Sequence, residues 1–372
     1  MPRRPTVYDV AERAGVSIAT VSFTFRQPER VRESTRATVL RAAEDLGYVP
    51  SASARGLAHG STGALGLYSF DLLLAQPQEG AEPTGPDAAP VVGPDLDEPE
   101  SDPRAFPLYV DEVQRGFELE CGQRGQALLL SSGTGSSASV ADVAGRVDGL
   151  AVFPGPTSVD MLAHVARRIP VVAFSMPPVA DGLHHVTVDN RGGTRALVEH
   201  LIADHGLRDL AFVGRLLDRD QRLTAPDYAE RFIGFQEALA GAGLPVPAEP
   251  LDATDLAEPH RLEVVSALAD ADRLPRALVC ASDQLALAVL DLLAARGVPV
   301  PDRVAVTGFD GILAGRLSRP SLTTVRQPMT EMGRLAVQVL VRTRGTPAEE
   351  PESHQLPVRV VRRASCGCPQ PV

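Results

Sequence analysis

The sequence predicts a small all-α head followed by a larger α/β core, in which doubly wound parallel sheets form two lobes. Short helical patterns that end at glycine fill residues 6–47, and apolar runs alternate with helical segments from about residue 63. The length agrees with this division, because 372 residues exceed one ordinary domain. The number of strand–helix units favours two lobes over a single sheet.

Three helices are predicted in the head. The first keeps its apolar residues on one face and ends at Gly15. Ser17 is a good N-cap for the second, "SIATVSFTF", and the third, "ESTRATVLRAAEDLGYVP", ends at Gly47. The short connection "GVS" is typical of a helix-turn-helix, whose second helix enters the major groove of DNA. The apolar face of the first helix comprises Val7, Val10, Ala11 and Ala14.

Eight strands are predicted in the core: "ALGLYSF", "QALLLSS", "GLAVFPG", "PVVAFSM", "HHVTVD", "DLAFVG", "RALVCAS" and "RVAVTGF". Helical segments lie between them, and each ends at or near a glycine. Residues 75–107 break the pattern, with eight Asp or Glu, many Pro and Gly, and no basic residue between Gln76 and Pro103. This segment cannot bury enough apolar area to offset its ordering entropy, so we predict a disordered acidic insertion.

The charge distribution favours a DNA-binding head. Residues 1–60 hold nine Arg and six Asp or Glu, a net charge of +3, although the whole chain carries −11. Four scattered cysteines form no disulfide framework, and "MPRRPTVYDV" lacks the apolar run of a signal peptide. No stretch approaches 18 consecutive apolar residues. We therefore expect a cytoplasmic, nucleoid-associated protein without a membrane span.

Long motifs in a fixed order resemble the lactose-repressor and galactose-repressor (LacI/GalR) family of bacterial transcription regulators. They are "TVYDVAERAGVSIATVS" and "RATVLRAAEDLGYVPSASARGLAHG" in the head, and "VDGLAVFP", "VTVDNRGGTRALVEHLI", "AERFIGFQEAL", "CASDQLALAVLDLLAARGVPVPDRVAVTGFDGI" and "SLTTVRQPMTEMGRLAV" in the core. The resemblance covers almost the whole chain except residues 75–107. It implies a periplasmic-binding-protein-like core that binds a small effector, most often a carbohydrate.

The head residues divide into two predicted roles. Hydroxyl groups near helix N-termini suit phosphate contacts, whereas the resemblance turns Ile18, Ala19 and Phe23 toward base edges. Phe23 stands where the family commonly has Arg, so the face formed by Ile18, Ala19 and Phe23 is nearly apolar. Arg26, one helical turn further on, could supply a positive charge toward the DNA. Packing within the head is the alternative role for Phe23. The predicted phosphate-contacting residues are Thr6, Tyr8, Ser17, Thr20, Ser22 and Thr35.

The segment 49–62 is predicted to be a linker that becomes a helix on DNA. By resemblance, Leu57 wedges into the minor groove, and Arg55 can meet phosphates. Gly56 lowers the helix propensity by about 1 kcal/mol relative to Ala, so we expect disorder away from DNA. A plain flexible tether is the alternative. The linker residues predicted to touch DNA are Ser51, Ala54, Arg55 and Leu57.

An effector site is predicted between the lobes, at the carboxyl ends of the strands. The resemblance matches Arg231 and Asp310 to the effector-contacting pair of the family, and a guanidinium facing a carboxylate can bracket a polyol. A plain salt bridge between them is the alternative. Ser175 stands where the family often has Asp. The predicted effector residues are Phe153, Ser175, Arg231, Ser282 and Asp310.

Other chemistry has weaker support in the sequence. Gly133, Gly135 and Ala138 have the spacing of a dinucleotide site, but Asp148 precedes the next strand, so we interpret a small-residue turn. No nucleophile elbow appears, and we expect neither an enzyme nor a cofactor. The closing Cys366-x-Cys368 could bind a metal or sense oxidants, but we favour the interpretation that it belongs to a frayed tail.

These observations together predict a homodimeric repressor that binds double-stranded operator DNA and responds to a small-molecule effector. We expect a two-fold symmetric dimer because one head reads only one half-site of the operator. The sequence shows no heptad pattern near its end, which argues against a tail-mediated tetramer. A periplasmic-type solute-binding protein without DNA function is the alternative. The predicted divisions are 1–48 for the head, 49–62 for the linker and 63–372 for the core, with a first lobe of 63–187 plus 322–344 and a second of 188–321 plus 345–372.

Overall fold

The structure is a computed structural model that describes residues 5–49, 61–70, 108–133, 137–153, 159–175, 182–214, 226–253, 262–345 and 351–369. The chain divides at Gly63 into two compact units, a head and a core, and each is described by itself. None of the helices in the described ranges is long and apolar enough to cross a membrane.

The head consists of three helices, as predicted: α1 (Val7–Ala14), α2 (Ile18–Arg26) and α3 (Glu33–Leu46), with a 3-10 turn at Pro28–Arg30. Gly15 ends α1 and Gly47 ends α3, both in the left-handed region at φ 65° and 64°. The Ser17 hydroxyl caps α2 by accepting a hydrogen bond from the amide of Thr20 at 3.2 Å. The helix-turn-helix prediction is thereby confirmed.

The head has its own small apolar core. Val10, Val21 and Val39, one from each helix, are completely buried. Phe25 packs against this cluster with Tyr48, and their ring centroids are 6.0 Å apart. Phe23 does not belong to the cluster. Its ring therefore does not complete the head core, although packing was one of its two predicted roles.

The core unit contains two sheets. Their strands are β1 (Ala64–Phe70), β2 (Ala127–Gly133), β3 (Leu150–Val152), β4 (Val171–Phe174), β5 (His184–Val188), β6 (Leu210–Val213), β7 (Ala277–Cys280), β8 (Ala305–Asp310), β9 (Thr323–Arg326), β10 (Ser353–Leu356) and β11 (Arg359–Val361). The first sheet has strand order β10-β5-β4-β3-β1-β2 and the second has order β11-β9-β8-β7-β6. Among the described residues, the strand pairs of both sheets are parallel except β11–β9, which is antiparallel.

Helices cover both faces of the sheets. They are α4 (Leu108–Gln123), α5 (Ser137–Ala144), α6 (Val159–Ala166), α7 (Asn190–His205), α8 (Pro226–Gly241), α9 (Glu263–Asp270), α10 (Asp283–Ala295), α11 (Leu313–Leu317) and α12 (Met329–Thr343). Residues of α4 and α12 bury one face of the first sheet, while α5 and α6 bury the other around Tyr68 and Leu150. Because both faces are covered, the strands read as continuous apolar runs, and the predicted doubly wound two-lobed core is confirmed.

The two lobes exchange strands later in the chain than predicted. Strand β9 lies in the second sheet beside β8, although residues 322–344 were assigned to the first lobe. Strand β10 pairs with β5 in the first sheet, although residues 345–372 were assigned to the second. The chain therefore passes from the second lobe to the first after Arg326, and returns to the second lobe after Leu356. Both strands have only four residues, and β10 forms an edge of its sheet, so their own sequence carries little signal.

Two glycines bring α4 and α12 into backbone contact. A Cβ atom on Gly116 would lie 1.9 Å from the carbonyl oxygen of Thr330, and one on Gly333 would lie 2.0 Å from that of Val113. Real side chains cannot occupy such distances. The close crossing of the two helices therefore depends on glycine at both positions.

The end of the described chain is packed rather than frayed. Cys366 lies in a 3-10 turn (Ala364–Cys366) and is only 3% exposed. The amide of Ser365 donates to the carbonyl of Ser321 at 3.0 Å, and its hydroxyl donates to the carbonyl of Val306. The interpretation of Cys366 and Cys368 as part of a frayed tail is therefore wrong, because these hydrogen bonds hold the turn against β8 and the segment before β9.

Several predictions lie outside the described residues. They concern the linker residues Ser51, Ala54, Arg55 and Leu57, the acidic insertion 75–107, the side chain of Arg26 and the turn around Gly135.

Candidate functional site

Arg231 is the centre of a polar cluster in the core. It lies on α8, and its side chain is almost completely buried. Its Nε donates to Asn190 Oδ1 at 2.8 Å, and its Nη1 donates to the carbonyl oxygen of Ala281 at 2.6 Å. The guanidinium also stacks on Phe309, with Cζ 3.8 Å from the ring centroid. Residues from three separate elements thus fix its orientation.

Two carboxylates lie beside this guanidinium. Asp310 Oδ1 is 3.5 Å from Arg231 Nη1, and Asp227 Oδ2 is 3.7 Å from Arg231 Nη2. Gln327 donates to Asp310 Oδ1 at 2.7 Å. Burial raises the pKa of Asp310 to about 7, against the opposing effect of Arg231, and burial likewise raises the pKa of Asp227. Burial thus favours the neutral form of both carboxyls relative to an exposed carboxyl.

The first sheet contributes the opposite wall. The Tyr109 hydroxyl lies 3.1 Å from Ser175 Oγ, and burial raises the pKa of this tyrosine above its usual value. Phe153 lies between two rings, edge-on to Tyr109 at 6.1 Å and stacked on Phe174 at 4.9 Å. Ser175 also partly offsets the burial-raised pKa of Asp227, a residue of the second lobe, so these two side chains lie close together. The two lobes therefore meet through polar side chains at the carboxyl ends of their strands.

Backbone strain is concentrated in the same place. Asp310 has φ 127° and Ser175 has φ 54°, values that side-chain-bearing residues rarely adopt. Each strained residue costs of order 1–3 kcal/mol and persists only where its surroundings over-determine it. Such residues cluster at ligand-binding positions, which supports a binding role for this cluster.

Ser282 and Asp283 hold the adjoining loop. Ser282 caps α10 by accepting from the amide of Leu285 at 3.3 Å, and it partly offsets the burial-raised pKa of Tyr228. Asp283 is completely buried, and its Oδ2 accepts from the amides of Gly311 and Ile312 at 2.8 and 2.9 Å. Burial raises the pKa of Asp283. Its bonds fix the turn that follows Asp310.

The structure brings all five predicted effector residues to this cluster and adds others that the sequence did not reveal. Asp227 precedes Arg231 by four residues, so helical spacing could have placed it on the same face. Asn190 and Tyr109 gave no such signal, because they join the cluster only through the tertiary fold. The additional residues are Tyr109, Asn190, Asp227, Tyr228, Asp283 and Gln327.

The arrangement provides several donors and acceptors between aromatic rings. Gln327 Oε1 is buried and has no hydrogen-bond partner among the described residues. A buried acceptor without a partner costs about 1–3 kcal/mol, and a ligand hydroxyl could satisfy it. The set can donate hydrogen bonds to, and accept them from, a ligand that carries several hydroxyl groups.

In the head, the start of α2 is open to a partner. Ile18 is 41% exposed, and Ala19 is exposed beside it. The Ser17 and Thr20 hydroxyls lie 2.9 Å apart at the helix N-terminus, where phosphate binding is favoured. Phe23 is half-buried under the guanidinium of Arg30, whose Cζ is 4.8 Å from the ring centroid.

The other predicted phosphate contacts surround this surface. The Thr6 hydroxyl donates to Asp9 Oδ2 at 2.7 Å and accepts from the backbone amide of Asp9, so its proton is engaged in capping α1. Tyr8 is 65% exposed, and Ser22 and Thr35 are half-buried. The roles of all these residues toward DNA stay predictions.

Comparison with known proteins gives two family matches. Residues 6–51 match the family described as bacterial regulatory proteins, lacI family, and residues 198–366 match the periplasmic binding protein-like domain. An HTH-type transcriptional regulator of Mycobacterium tuberculosis is 32% identical over 363 residues, which cover 91% of each chain. Catabolite control protein A of Priestia megaterium is 28% identical over 97% of this chain and 98% of its own.

Solved structures agree in fold. The lac repressor dimer bound to operator and the anti-inducer ONPF superposes with a TM-score of 0.75 at 22% identity, covering 98% of this chain and 99% of that one. The complex of the transcriptional regulator CelR with cellobiose has a TM-score of 0.61 at 26% identity, covering 97% and 100%. The chain belongs to the LacI family of bacterial transcription regulators, with a DNA-binding helix-turn-helix head and an effector-binding, periplasmic-binding-protein-like core.

Proposed function

We propose that this chain is a homodimeric, cytoplasmic and nucleoid-associated repressor whose affinity for operator DNA changes when a carbohydrate-like molecule binds around Arg231 and Asp310. The head spans residues 1–48, the linker 49–62 and the effector-binding core 63–372. The protein acts by binding and performs no catalysis.

The observation that carries the proposal is the way both lobes contribute to one polar cluster. Ser175 and Tyr109 follow or pack on the first sheet, while Arg231 and Asp310 belong to the second lobe. A ligand held by both sets favours one relative arrangement of the lobes. Such a population shift typically couples two sites by about 1–3 kcal/mol.

The ligand class follows from the hydrogen-bonding groups. Carboxylates accept from hydroxyls, and the guanidinium donates to them, while Tyr109 and Phe153 offer apolar surface to a sugar ring. The similar regulator CelR is solved with cellobiose, and a LacI family regulator of Enterococcus faecium is solved with bound ribose. Asp227 supplies a carboxylate close to Ser175, the position at which the family often carries Asp.

Dimerisation follows from the DNA target. One helix-turn-helix reads a half-site, so a two-fold operator requires two heads. The lac repressor structure similar to this chain is a dimer on its operator. In the proposed complex α2 enters the major groove, and Leu57 of each linker wedges into the minor groove.

The test combines operator selection with a ligand screen on the full chain. Binding sites are selected from random double-stranded DNA, and operator affinity is then measured by fluorescence anisotropy with each member of a panel of sugars and nucleosides. The same panel is screened by thermal shift, since any ligand of the native state raises the unfolding temperature. We expect a pseudo-palindromic operator and at least one sugar that changes its affinity.

A truncated variant distinguishes a DNA-binding regulator from a solute-binding protein without DNA function. Deletion of residues 1–60 should abolish operator binding while the thermal response to the sugar is kept. Operator binding that persisted in this variant would exclude the proposed role of the head. A panel of sugars without any effect on the full chain, alongside a nucleoside that acts, would exclude the carbohydrate class.

A further inference from the structure

Four side chains with metal-binding atoms meet at the end of α7. His200 and His205 lie on the last turns of this helix, and Cys366 and Cys368 come from the closing segment. Cys368 Sγ is 3.5 Å from His200 Nε2 and 3.3 Å from His205 Nε2, and Cys366 Sγ is 3.8 Å from His200 Nε2. All four ligand atoms lie within 4.8 Å of one another.

These separations fit one tetrahedral ion. With zinc bonds of about 2.3 Å to sulfur and 2.0–2.1 Å to nitrogen, the edges of the tetrahedron measure about 3.3–3.8 Å. The three sulfur–nitrogen distances given above fall inside that range, and the remaining pairs lie within 4.8 Å. Two thiolates and two imidazoles also form a ligand set that favours zinc over calcium or magnesium, which prefer oxygen.

The surroundings orient the ligands. His200 Nδ1 lies 2.7 Å from Asp204 Oδ2, which leaves Nε2 turned toward the sulfurs. A carboxylate on the remote nitrogen of a ligating histidine is a common partner in zinc sites, because it fixes the tautomer and the ring. The Thr323 hydroxyl of β9 lies 3.0 Å from Cys366 Sγ. Each of these two ligands thus has a polar neighbour behind it.

The backbone between the cysteines is shaped for the pair. Gly367 has φ 94°, in a region that side chains rarely adopt. A Cβ atom there would approach the His205 ring at 3.6 Å, so the ring packs directly over the turn. The hydrogen bonds of Ser365 hold the preceding residue against Ser321 and Val306. The turn therefore presents both sulfurs to the histidines without further rearrangement.

We propose that His200, His205, Cys366 and Cys368 bind one structural zinc ion. All four positions are filled by protein atoms, which is the closed arrangement of structural sites rather than the open one of catalytic sites. The ion fastens the closing segment to α7 and so stabilises the second lobe. His200 and His205 follow Asn190 by ten and fifteen residues on α7, which correspond to about 15 and 22 Å along the helix axis, so the proposed site is separate from the effector cluster.

The test measures metal in the full chain, produced without a polyhistidine tag in zinc-supplemented medium and desalted. Elemental analysis should find about one zinc ion per chain. The combined variant Cys366→Ser and Cys368→Ser should lose it, as should His205→Asn. The matched controls are Cys121→Ala, a buried cysteine on α4, and His164→Asn, an exposed histidine on α6, and both should keep the zinc.

Cobalt substitution uses the unmodified chain alone, so it does not depend on how the variants fold. Cobalt(II) replacing zinc in the unmodified chain should give the intense visible bands of a tetrahedral centre and a thiolate-to-cobalt charge-transfer band. Chelation should lower the unfolding temperature of the unmodified chain but not that of the double cysteine variant. A chain without zinc, a cysteine variant that retains it, a cobalt spectrum typical of six oxygen ligands, or a Cys366–Cys368 disulfide in reducing buffer would each overturn the proposal.

Discussion

Arg231 and Asp310 face each other at 3.5 Å, while both make their shorter hydrogen bonds to neutral groups. Arg231 bonds Asn190 and the Ala281 carbonyl at 2.8 and 2.6 Å, and Asp310 accepts from Gln327 at 2.7 Å. The direct pair is therefore long although both side chains are buried. This geometry leaves the charges of both groups available to a hydroxyl-bearing ligand and argues against a purely structural salt bridge.

Replacement of Arg231 should remove the effector response and spare DNA binding. Arg231→Ala leaves two buried carboxylates without their cation, which costs about 3–5 kcal/mol, so Arg231→Lys is the milder companion that keeps a charge. Operator affinity is measured by anisotropy with and without the sugar found in the screen. The control is Arg195→Ala, a half-exposed arginine on α7. A normal response in both Arg231 variants would place the ligand elsewhere.

Stability should depend on pH through Asp310. Burial raises the pKa of its carboxyl to about 7, whereas the unfolded chain releases that proton near pH 4. Between these values the folded state binds more protons than the unfolded state, so the free energy of unfolding falls as pH rises. Asp310→Asn removes this contribution, and its stability relative to the unmodified chain should increase from about pH 4 to 7 and then level off. Urea unfolding across this range measures the difference, and a flat or falling difference would contradict the prediction.

The sequence was sufficient to predict the three helices of the head and eight strands of the core, because each carries a periodic apolar pattern. Strands β9, β10 and β11 were missed, since β10 and β11 are half-exposed edge strands of four and three residues. Their pairing depends on neighbours rather than on their own residues. For the same reason the lobe boundaries differ from those predicted.

The candidate site was predicted only in part. Arg231 and Asp310 came from resemblance, but Tyr109 and Asn190 join them through contacts between residues far apart in the chain. The zinc ligands show the same limitation, because His200 and Cys366 are 166 residues apart. A Cys-x-Cys pair in the sequence does not indicate which histidines lie beside it in the folded chain.

Phe23 should influence which operator is chosen. Its ring lies outside the head core and under Arg30, on the helix predicted to enter the major groove. Phe offers apolar contact, for instance to a thymine methyl, whereas Arg makes a bidentate contact with guanine worth about 1–3 kcal/mol. Sites selected from random DNA by Phe23→Arg should gain guanine at one position of each half-site. An unchanged consensus would show that Phe23 does not read a base.

The linker should contribute through Leu57 without changing the electrostatics of binding. Leu57→Ala removes an apolar wedge and no phosphate contact, so specific affinity should fall while the salt dependence stays nearly constant. Arg55→Ala is the matched control, since loss of one phosphate contact should reduce the slope of log K against log salt by about 0.9. Anisotropy titrations over a series of salt concentrations measure both. An unchanged operator affinity for Leu57→Ala would remove the wedge role.

Gly116 and Gly122 lie on the same helix, α4, and should respond to alanine in opposite directions. A Cβ atom on Gly116 would meet the Thr330 carbonyl at 1.9 Å, so α12 must move away and bury its apolar residues less well. Overpacking of this kind costs about 1–3 kcal/mol. A Cβ atom on Gly122 meets nothing within 4 Å, and there alanine should stabilise the helix by roughly 0.5–1 kcal/mol.

Denaturant and thermal unfolding of both variants measure this contrast. The unfolding midpoint of Gly116→Ala should fall, and that of Gly122→Ala should rise. Both variants carry the same glycine-to-alanine change on the same helix, so the difference between them reports the crossing with α12. A fall of equal size in both would mean that alanine acts through α4 itself rather than through its crossing with α12. Since α12 follows β9 of the second lobe and packs on the first, a weakened crossing should also loosen the tie between the lobes. A smaller effector-induced change in operator affinity for Gly116→Ala is therefore expected beside its lower midpoint.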